Sequence, residues 1–270
     1  MRINGSVIGS AVTSSVLTAT GIWDIRNAEI ANRLGTWPNL GAIVTSGLTL
    51  NLDAGSVASY PGSGTVWYDL AQNLTFNLQG TQTPYTTKNG APCFNFNGSG
   101  YWQCSSGFSN VDLGGDCTII LWFYCETLAA RKTIFEKAGT SYQSYQQEIA
   151  VTWETNLTFN YYSRQSPSYD VGVTTTNTNN AWNMMAIKMS TGKTTAARTG
   201  FYSKNGAAWT SNYTSNSNTA LVAAGAINIG SGYAGTVTNG YIGQVLCYNK
   251  MLSDDEILQN YNSTRTRYGL

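Results

Sequence analysis

Residues 240–270 read GYIGQVLCYNKMLSDDEILQNYNSTRTRYGL, and this stretch decides the fold. Its first part, Tyr241–Tyr248, is a short apolar strand. Ser253 and Glu256 have the spacing of a capping box, in which the serine accepts from a first-turn N–H and the glutamate reaches back to the cap. The apolar residues that follow recur at helical spacing and predict one buried helix face: Ile257, Leu258 and Tyr261. A last strand closed by one short helix is therefore expected.

Upstream of this stretch the chain contains many short strand signals separated by polar turns. The leucines of residues 48–52 alternate with polar residues, which is the period of a half-buried strand. Cys117–Cys125 is almost continuously apolar, as in a strand that is buried on both faces. Asn205-Gly206 is a strong hairpin signal. The other predicted strands are Pro92–Asn97, Ile149–Trp153, Leu157–Tyr161, Trp182–Met189 and Ile227–Ile229. Roughly ten short strands of this kind predict an antiparallel sandwich.

Composition excludes two classes of partner. Only 11% of the residues are charged and the formal net charge is +1, so no long-range field attracts nucleic acid. The longest apolar run, Ile119–Cys125, is too short to cross a membrane. Arg2 is not followed by an apolar core of the length that a secretory signal needs. Nucleic acid and membrane are therefore not expected as partners.

The order of these segments resembles the concanavalin A-like jelly rolls of the laminin-G type. The segments that carry the resemblance are Leu48–Leu70, Cys117–Tyr124, Trp182–Lys188, Phe201–Gly206 and the terminal strand and helix. The resemblance covers about residues 47–270. It implies an all-β fold, a two-sheet antiparallel jelly-roll sandwich with a short C-terminal helix, preceded by an N-terminal arm at residues 1–46.

The residues argue against catalysis. The chain has no histidine, which excludes a Ser-His-Asp triad, a Cys-His pair and an HExxH metal site. Glycosidases with the resembled fold use a Glu-x-Asp-x-Glu set of carboxylates on one strand, and this sequence lacks that set. The nearest pair, Glu148 and Glu154, would lie roughly 20 Å apart along a strand, too far to act on one bond. We expect no enzymatic activity.

The oxidation state of the cysteines and the presence of a bound metal each leave one alternative open. The cysteines are Cys93, Cys104, Cys117, Cys125 and Cys247, an odd number without a CxxC pair. We interpret them as buried reduced thiols, with a Cys93–Cys104 bridge as the alternative. No cofactor is predicted. Several relatives of the resembled type carry calcium, however, and Asp112, Asp116 and Asp170 lie in loop-like stretches, so calcium remains an alternative.

Aromatic residues are the candidates for carbohydrate binding. In the resembled fold, tyrosine and tryptophan stack on sugar rings while amides and carboxylates orient the hydroxyls. The candidates are Tyr161, Tyr162, Tyr169, Trp209, Tyr213 and Tyr233, with Asn160, Asn179, Asn180 and Asn212 nearby in the sequence. The alternative is that these residues are ordinary strand residues, because tyrosine is favoured in strands.

The N-terminal arm carries a different signal. Asp24 could cap a short helix that ends at Gly35. The stretch SVIGS and the later GIWDIRNAEIANRLGTWP resemble the leader of structural proteins in tailed phages, especially marine and cyanobacterial ones. The resemblance implies docking on other virion proteins of the capsid, neck or tail. The predicted interface anchors are Ile22, Trp23, Ile25, Ile30, Leu34 and Trp37. The alternative is that the arm packs on the jelly roll as an extra layer.

Together these features predict a non-enzymatic virion structural protein, made in the host cytoplasm and displayed on the virion surface. It would be a capsid decoration protein, a head fibre or a tail-associated appendage, with a homo-oligomeric state by analogy. Host-surface polysaccharide is its candidate ligand. A free carbohydrate-binding lectin and a mechanical cement protein without a ligand are the alternatives.

Overall fold

The computed structural model describes the backbone at residues 13–14, 19–20, 42–81, 84–124, 126, 131–137, 148–153, 158–165, 168–176, 178–190, 198–215, 225–232 and 239–270. Side chains are described in the same ranges except at 13–14, 19–20, 148, 158–165, 168–174, 198 and 212–215. The predicted helix of the arm and its interface anchors lie outside the described residues, as do Cys125, Glu154 and Tyr233.

The described part of the chain is almost entirely β. Numbered along the chain, its strands are β1 (Thr13–Ser14), β2 (Ala19–Thr20), β3 (Leu48–Asp53), β4 (Val66–Tyr68), β5 (Thr75–Gly80), β6 (Tyr85–Lys88), β7 (Ala91–Asn97), β8 (Gly100–Cys104), β9 (Cys117–Tyr124), β10 (Lys132–Lys137), β11 (Glu148–Trp153), β12 (Thr158–Gln165), β13 (Ser168–Thr176), β14 (Trp182–Ser190), β15 (Arg198–Lys204), β16 (Thr210–Ser215), β17 (Ile227–Ile229) and β18 (Asn239–Tyr248). Helix α1 spans Asp254–Thr264, and two 3-10 helices span Phe108–Asn110 and Arg265–Tyr268.

The strands form two antiparallel eight-stranded sheets. Sheet I has the order β13-β12-β11-β10-β17-β8-β5-β4. Sheet II has the order β16-β15-β14-β9-β18-β7-β6, and β3 pairs with β18 beside β7. Strands β1 and β2 make a separate two-stranded ladder. Both sheets combine hairpin neighbours with strands from distant parts of the sequence, and every described pairing in them is antiparallel, which confirms the predicted antiparallel sandwich.

The core between the sheets is centred on aromatic side chains. The Phe94 ring centroid lies 4.7 Å from that of Trp67, 4.9 Å from that of Trp102 and 4.8 Å from that of Tyr60. All four side chains are at most 1% exposed. Because Phe94 belongs to sheet II while Trp67 and Trp102 belong to sheet I, this contact joins the two sheets. Strands β4, β5 and β8 are therefore tightly packed on their inner face.

Strand β9 is buried on both faces, as its sequence predicts. Ile119 and Leu121 face the core between the sheets, while Ile120 and Trp122 face a second apolar cluster on the outer side of sheet II. The C-terminal segment covers that cluster with Leu252 just before helix α1, Ile257 within the helix and Tyr268 in the last 3-10 helix. One sheet therefore has a covered outer face.

The predicted capping box starts helix α1. The Ser253 side chain accepts from Glu256 N–H at 3.2 Å, and the Glu256 carboxylate accepts from Ser253 N–H at 2.9 Å. The predicted apolar face is partly wrong, however. Ile257 is buried, but Leu258 is 38% exposed because the side of the helix that meets the sheet continues through Asn260 and Thr264.

The Asn-Gly turn packs directly on this helix. Asn205 and Gly206 have φ of 49° and 73°, the left-handed conformation that this dipeptide favours. A Cβ added to Gly206 would lie 2.7 Å from the Cβ of Tyr261, so no other residue fits there without displacement. The connection is longer than a two-residue hairpin, since β15 ends at Lys204 and β16 begins at Thr210.

The chain enters the sandwich beside helix α1. Val44 N–H donates to Asn260 Oδ1 at 2.8 Å, the Tyr248 hydroxyl donates to Val44 O at 3.0 Å, and Gln259 Nε2 donates to Ala42 O at 3.0 Å. Val44 itself is buried in the outer cluster of sheet II. Residue 42, where the arm joins, is thus held on the side of the molecule opposite the outer face of sheet I. Among the described residues, no helix is long and apolar enough to cross a membrane.

The cysteines settle one alternative. Cys93, Cys104, Cys117 and Cys247 are free and buried. Cys93 lies on β7 in the outer cluster of sheet II, whereas Cys104 lies on β8 of sheet I in the core between the sheets. The Cys93–Cys104 bridge is therefore wrong, and the interpretation as reduced thiols is confirmed for these four.

Candidate functional site

A row of polar residues crosses the outer face of sheet I. The strand register pairs Asn77 with Gln103, Gln103 with Asn228, and Asn228 with Glu136. Their neighbours along the strands are apolar and face the core: Phe76, Trp102, Cys104, Ile227, Ile229 and Phe135. Since side chains alternate between the faces of a strand, the four polar residues share the outer face. We call them the amide row.

Hydrogen bonds orient the amide row. Asn228 Nδ2 donates to Glu136 Oε2 at 2.8 Å, and Gln103 Nε2 donates to Asn228 Oδ1 at 3.0 Å. Glu136 is 1% exposed and Asn228 is 5% exposed, whereas Gln103 is half-buried and Asn77 is exposed. The carboxylate at the buried end accepts, so each amide has one defined orientation. The row therefore runs from the buried Glu136 carboxylate to Gln103 Oε1, which is an acceptor near the surface.

Two tyrosines flank the exposed end of the amide row. Tyr101 is half-buried and lies two residues from Gln103 on β8. Tyr68 is 43% exposed and lies on the edge strand β4, opposite Thr75. Residues two apart on a strand face the same side and are separated by about 7 Å. Tyr101 and Gln103 are thus neighbours on the outer face, and Tyr68 lies on the same face at the edge of the sheet, so this face suits a ligand that has both an apolar side and hydroxyl groups.

Three predicted sugar-binding tyrosines lie on this sheet. Tyr161 and Tyr162 are on β12 and Tyr169 is on β13, with side chains outside the described residues. The register places Tyr162 opposite Ala150, which itself pairs with Glu136. The backbone position of Tyr162 therefore extends the amide row by two strands.

Two further predicted sugar-binding residues, Trp209 and Tyr213, lie on or beside sheet II. Trp209 is half-buried on the outer side of sheet II, where its indole N–H donates to Ser253 O at 3.2 Å and its backbone N–H donates to Asp254 at 2.9 Å. Lys188 Nζ lies 4.4 Å from its ring centroid. Trp209 is thus bound to the start of helix α1. Tyr213 is on β16, the edge of sheet II that lies next to β13.

Sequence reasoning missed Tyr68, Gln103 and Glu136. The available signal was the alternation in Gly100–Cys104, where Tyr101 and Gln103 are polar while Trp102 and Cys104 are apolar. This pattern identifies an exposed face. It does not identify the partner strands, because β17 and β10 are distant in the sequence and their order in the sheet follows from tertiary pairing.

The described thiols are poor nucleophiles. Burial raises the pKa of Cys93 to about 12, although a backbone hydrogen bond and the charge of Lys88 oppose the shift. Burial also raises the pKa of Cys247. A thiol that stays protonated at neutral pH neither attacks a substrate nor binds a metal. In the described ranges no group of three or more Cys, Asp or Glu residues could hold a metal ion.

The sequence match decides the family. Residues 96–258 match Laminin_G_3, described as the concanavalin A-like lectin/glucanases superfamily. The chain belongs to this family. The laminin-G-like assignment agrees with the two antiparallel sheets and the single short helix at the C-terminus. No curated protein matches the sequence of the chain.

Solved structures share the fold of this laminin-G-like chain. Domain 4 of AbnA, a GH43 extracellular arabinanase from Geobacillus stearothermophilus in complex with arabinotriose, has a TM-score of 0.58 and 15% identity over 79% of this chain and 98% of that chain. Trypanosoma rangeli sialidase in complex with sialic acid has a TM-score of 0.55 and 15% identity over 87% of this chain. The binding domain of botulinum neurotoxin DC, in complex with rat synaptotagmin II, has a TM-score of 0.57 and 13% identity over 82% of this chain.

These likenesses concern the fold. The laminin-G-like chain spans 35% of the sialidase chain and 52% of the neurotoxin chain. The folds related to this chain thus include carbohydrate-binding and glycosidase-like proteins.

Proposed function

We propose that this laminin-G-like chain is a non-catalytic carbohydrate-binding protein, and that its ligand lies on the outer face of sheet I. One observation carries the proposal. The hydrogen bonds from Glu136 through Asn228 to Gln103 hold a half-exposed amide in one orientation on the face that also carries Tyr101. A sugar presents hydroxyl groups at its edge and C–H groups on its face, so it needs oriented acceptors and an aromatic surface together.

Preorganisation supports this assignment. An exposed glutamine normally loses side-chain entropy when it binds a ligand, and this loss weakens the complex. Gln103 has already lost part of this freedom, because its Nε2 is bound to Asn228. Its Oε1 remains as an acceptor for a hydroxyl proton. Binding through a few residues of a sheet face is expected to be weak, and many copies would strengthen it by avidity.

The surroundings of Glu136 support a role without catalysis. By register, Glu148 lies two residues from Ala150, the partner of Glu136, so the two backbone positions are diagonal neighbours about 7–8 Å apart. That separation lies within the range of inverting glycosidases, about 6.5–9.5 Å between carboxyl groups. Glu136, however, is 1% exposed and accepts from Asn228. A carboxylate held in this way orients an amide rather than meeting a glycosidic oxygen.

Glycan-array screening followed by calorimetry of the best glycan tests the binding surface. We expect Gln103→Ala and Tyr101→Ala each to weaken binding about tenfold, the equivalent of one hydrogen bond or one stacking contact. Glu136→Gln should also weaken binding, because it removes the charge that orients Asn228. Gln72→Ala is the matched control, since Gln72 lies outside the amide row and its side-chain amide donates to Asn110 O at 3.5 Å.

Unchanged affinity in Tyr101→Ala and Gln103→Ala would place the ligand elsewhere, with Tyr161, Tyr162, Tyr169 and Tyr213 as the next variants. Hydrolysis of the bound glycan, lost in both Glu136→Gln and Glu148→Gln, would replace the binding proposal by glycosidase activity. Failure to bind any glycan would favour the mechanical cement protein.

We further propose that the chain is displayed on a tailed-phage virion through residues 1–46. The resemblance of the arm to virion leaders suggests this, and the attachment point adds support. Ala42 and Val44 are bound to helix α1 on the outer side of sheet II. A particle that is bound through the arm would therefore leave the outer face of sheet I directed away from its surface.

Mass spectrometry of purified virions tests the display, with the full chain and a variant lacking residues 1–41 expressed in parallel. We expect only the full chain in the particles. Hundreds of copies relative to the major capsid protein would indicate a capsid decoration protein. A few to a few dozen copies would indicate a neck, tail or fibre component. Absence of the full chain from virions would overturn the proposal and leave the free lectin.

A further inference from the structure

A buried lysine lies at the end of strand β10. Lys137 is the last residue of that strand and is 2% exposed. The register pairs it with Ile149 on one side and Ile227 on the other, and both isoleucines are fully buried in the core between the sheets. An ammonium group in such surroundings is costly unless polar atoms replace its water.

Two backbone carbonyls supply those polar atoms. Lys137 Nζ donates to Phe108 O at 3.0 Å and to Val111 O. Both carbonyls belong to the segment formed by the 3-10 helix Phe108–Asn110 and the residue that follows it. This segment lies between strands β8 and β9. The ammonium therefore ties the segment to the end of β10.

Nearby acidic groups partly offset the effect of burial on the Lys137 ammonium group. Burial lowers the pKa of Lys137, while the nearby groups Cys247, Asp112 and Cys104 act in the opposite direction. Asp112 comes from the same segment as the two carbonyls, and its carboxylate accepts from Gly114 N–H at 2.9 Å. The segment thus presents neutral carbonyl oxygens and a neighbouring negative charge to a single cation.

We propose that the carbonyls of Phe108 and Val111 form a site for a small monovalent cation, and that the Lys137 side chain fills it. The site suits an ammonium ion because two carbonyl oxygens and one nearby carboxylate match the few directional donors of –NH3+. A calcium ion needs six to eight oxygen ligands, and this segment has fewer within reach.

Chemical rescue tests the site. Lys137→Ala removes a three-carbon chain and its ammonium, which is the volume of n-propylammonium. We expect this variant to unfold at a temperature on the order of 10 °C below that of the wild type, since two buried carbonyls lose their donor. Millimolar n-propylammonium should restore much of the loss, and ammonium should restore less. Tetramethylammonium, which has no N–H donor, and calcium should restore nothing at equal ionic strength.

Two controls make the outcome decisive. Wild type should not respond to n-propylammonium, and Lys137→Met, which fills the volume with an apolar chain, should be destabilised without rescue. Equal effects of propylammonium and tetramethylammonium on Lys137→Ala would overturn the proposal, as would stabilisation by calcium or wild-type stability of Lys137→Met. If Lys137→Ala is obtained only unfolded, refolding yields in the two amines replace the melting curves. Equal yields would again overturn it.

Discussion

Trp122 is the residue on which the outer side of sheet II depends. Its ring stacks on Tyr268 with centroids 4.1 Å apart and an angle of 12° between the planes. Its indole N–H donates to Thr264 Oγ1 at 2.9 Å. One side chain of strand β9 therefore holds both helix α1 and the last 3-10 helix. Its position in a continuous apolar run identifies it as buried, but no local pattern identifies its partners, which follow more than 130 residues later.

At this scale we expect Trp122→Ala to lower the free energy of unfolding by about 3–5 kcal/mol, because it leaves a large cavity and removes a buried hydrogen bond. Trp122→Phe should cost less, since it keeps one stacked ring and loses the donor and only part of the buried volume. Urea unfolding followed by circular dichroism measures both. Leu258→Ala, at an exposed position on the same helix, is the control and should change stability by less than about 0.5 kcal/mol. A similar loss in the control would contradict the assigned role of Trp122.

Helix α1 shows which elements could be predicted and which could not. Ser253 and Glu256 predict its start, because a capping box is a local arrangement within four residues. Its inner face could not be predicted fully, since Asn260 is buried by its hydrogen bonds to Val44 and Tyr248 rather than by hydrophobicity. The amide row could not be predicted either, because it also depends on contacts between distant segments. Each of its strands alternates recognisably, yet the juxtaposition of Gln103, Asn228 and Glu136 follows from strand order alone.

The start of helix α1 gives a pH prediction. Burial alone would raise the pKa of Glu256, but hydrogen bonds from Lys250 Nζ and Ser253 N–H, together with the Lys250 charge, outweigh burial and place this pKa below its ordinary value of 4.5. A carboxyl group whose pKa is lower in the folded state stabilises the fold above the unfolded-state pKa. That contribution is lost as the pH falls through the folded-state pKa.

We therefore expect the unfolding free energy of the wild type to decrease below about pH 4.5, in part because Glu256 becomes protonated and loses its interactions with Lys250 and the helix start. Glu256→Gln keeps a capping acceptor but cannot titrate, so its decrease over the same range should be smaller. Urea unfolding at a series of pH values measures the difference. Asp255→Asn is the matched first-turn control. A parallel decrease in wild type and Glu256→Gln would exclude this role.

On the scale of the whole molecule, the two outer faces differ. Sheet II is covered by helix α1 and by residues 42–44, whereas sheet I carries the amide row and two accessible tyrosines. The all-β sandwich could be predicted, because many short alternating strands permit few other folds. The difference between the faces could not, because it depends on which sheet receives the C-terminal helix. The homo-oligomeric state and the position on a particle stay predictions.

Strand β18 has a consequence for how the protein is made. Its first residues pair with β7 and its later residues pair with β3, while β9 lies along its other side. Among the described strands, this central strand is also the last to be synthesised. Sheet II therefore cannot close before residue 248 has left the ribosome, and strands β3, β7 and β9 lack their shared partner until then. A ribosome that stops before residue 239 would release a chain without the strand that joins the two halves of sheet II.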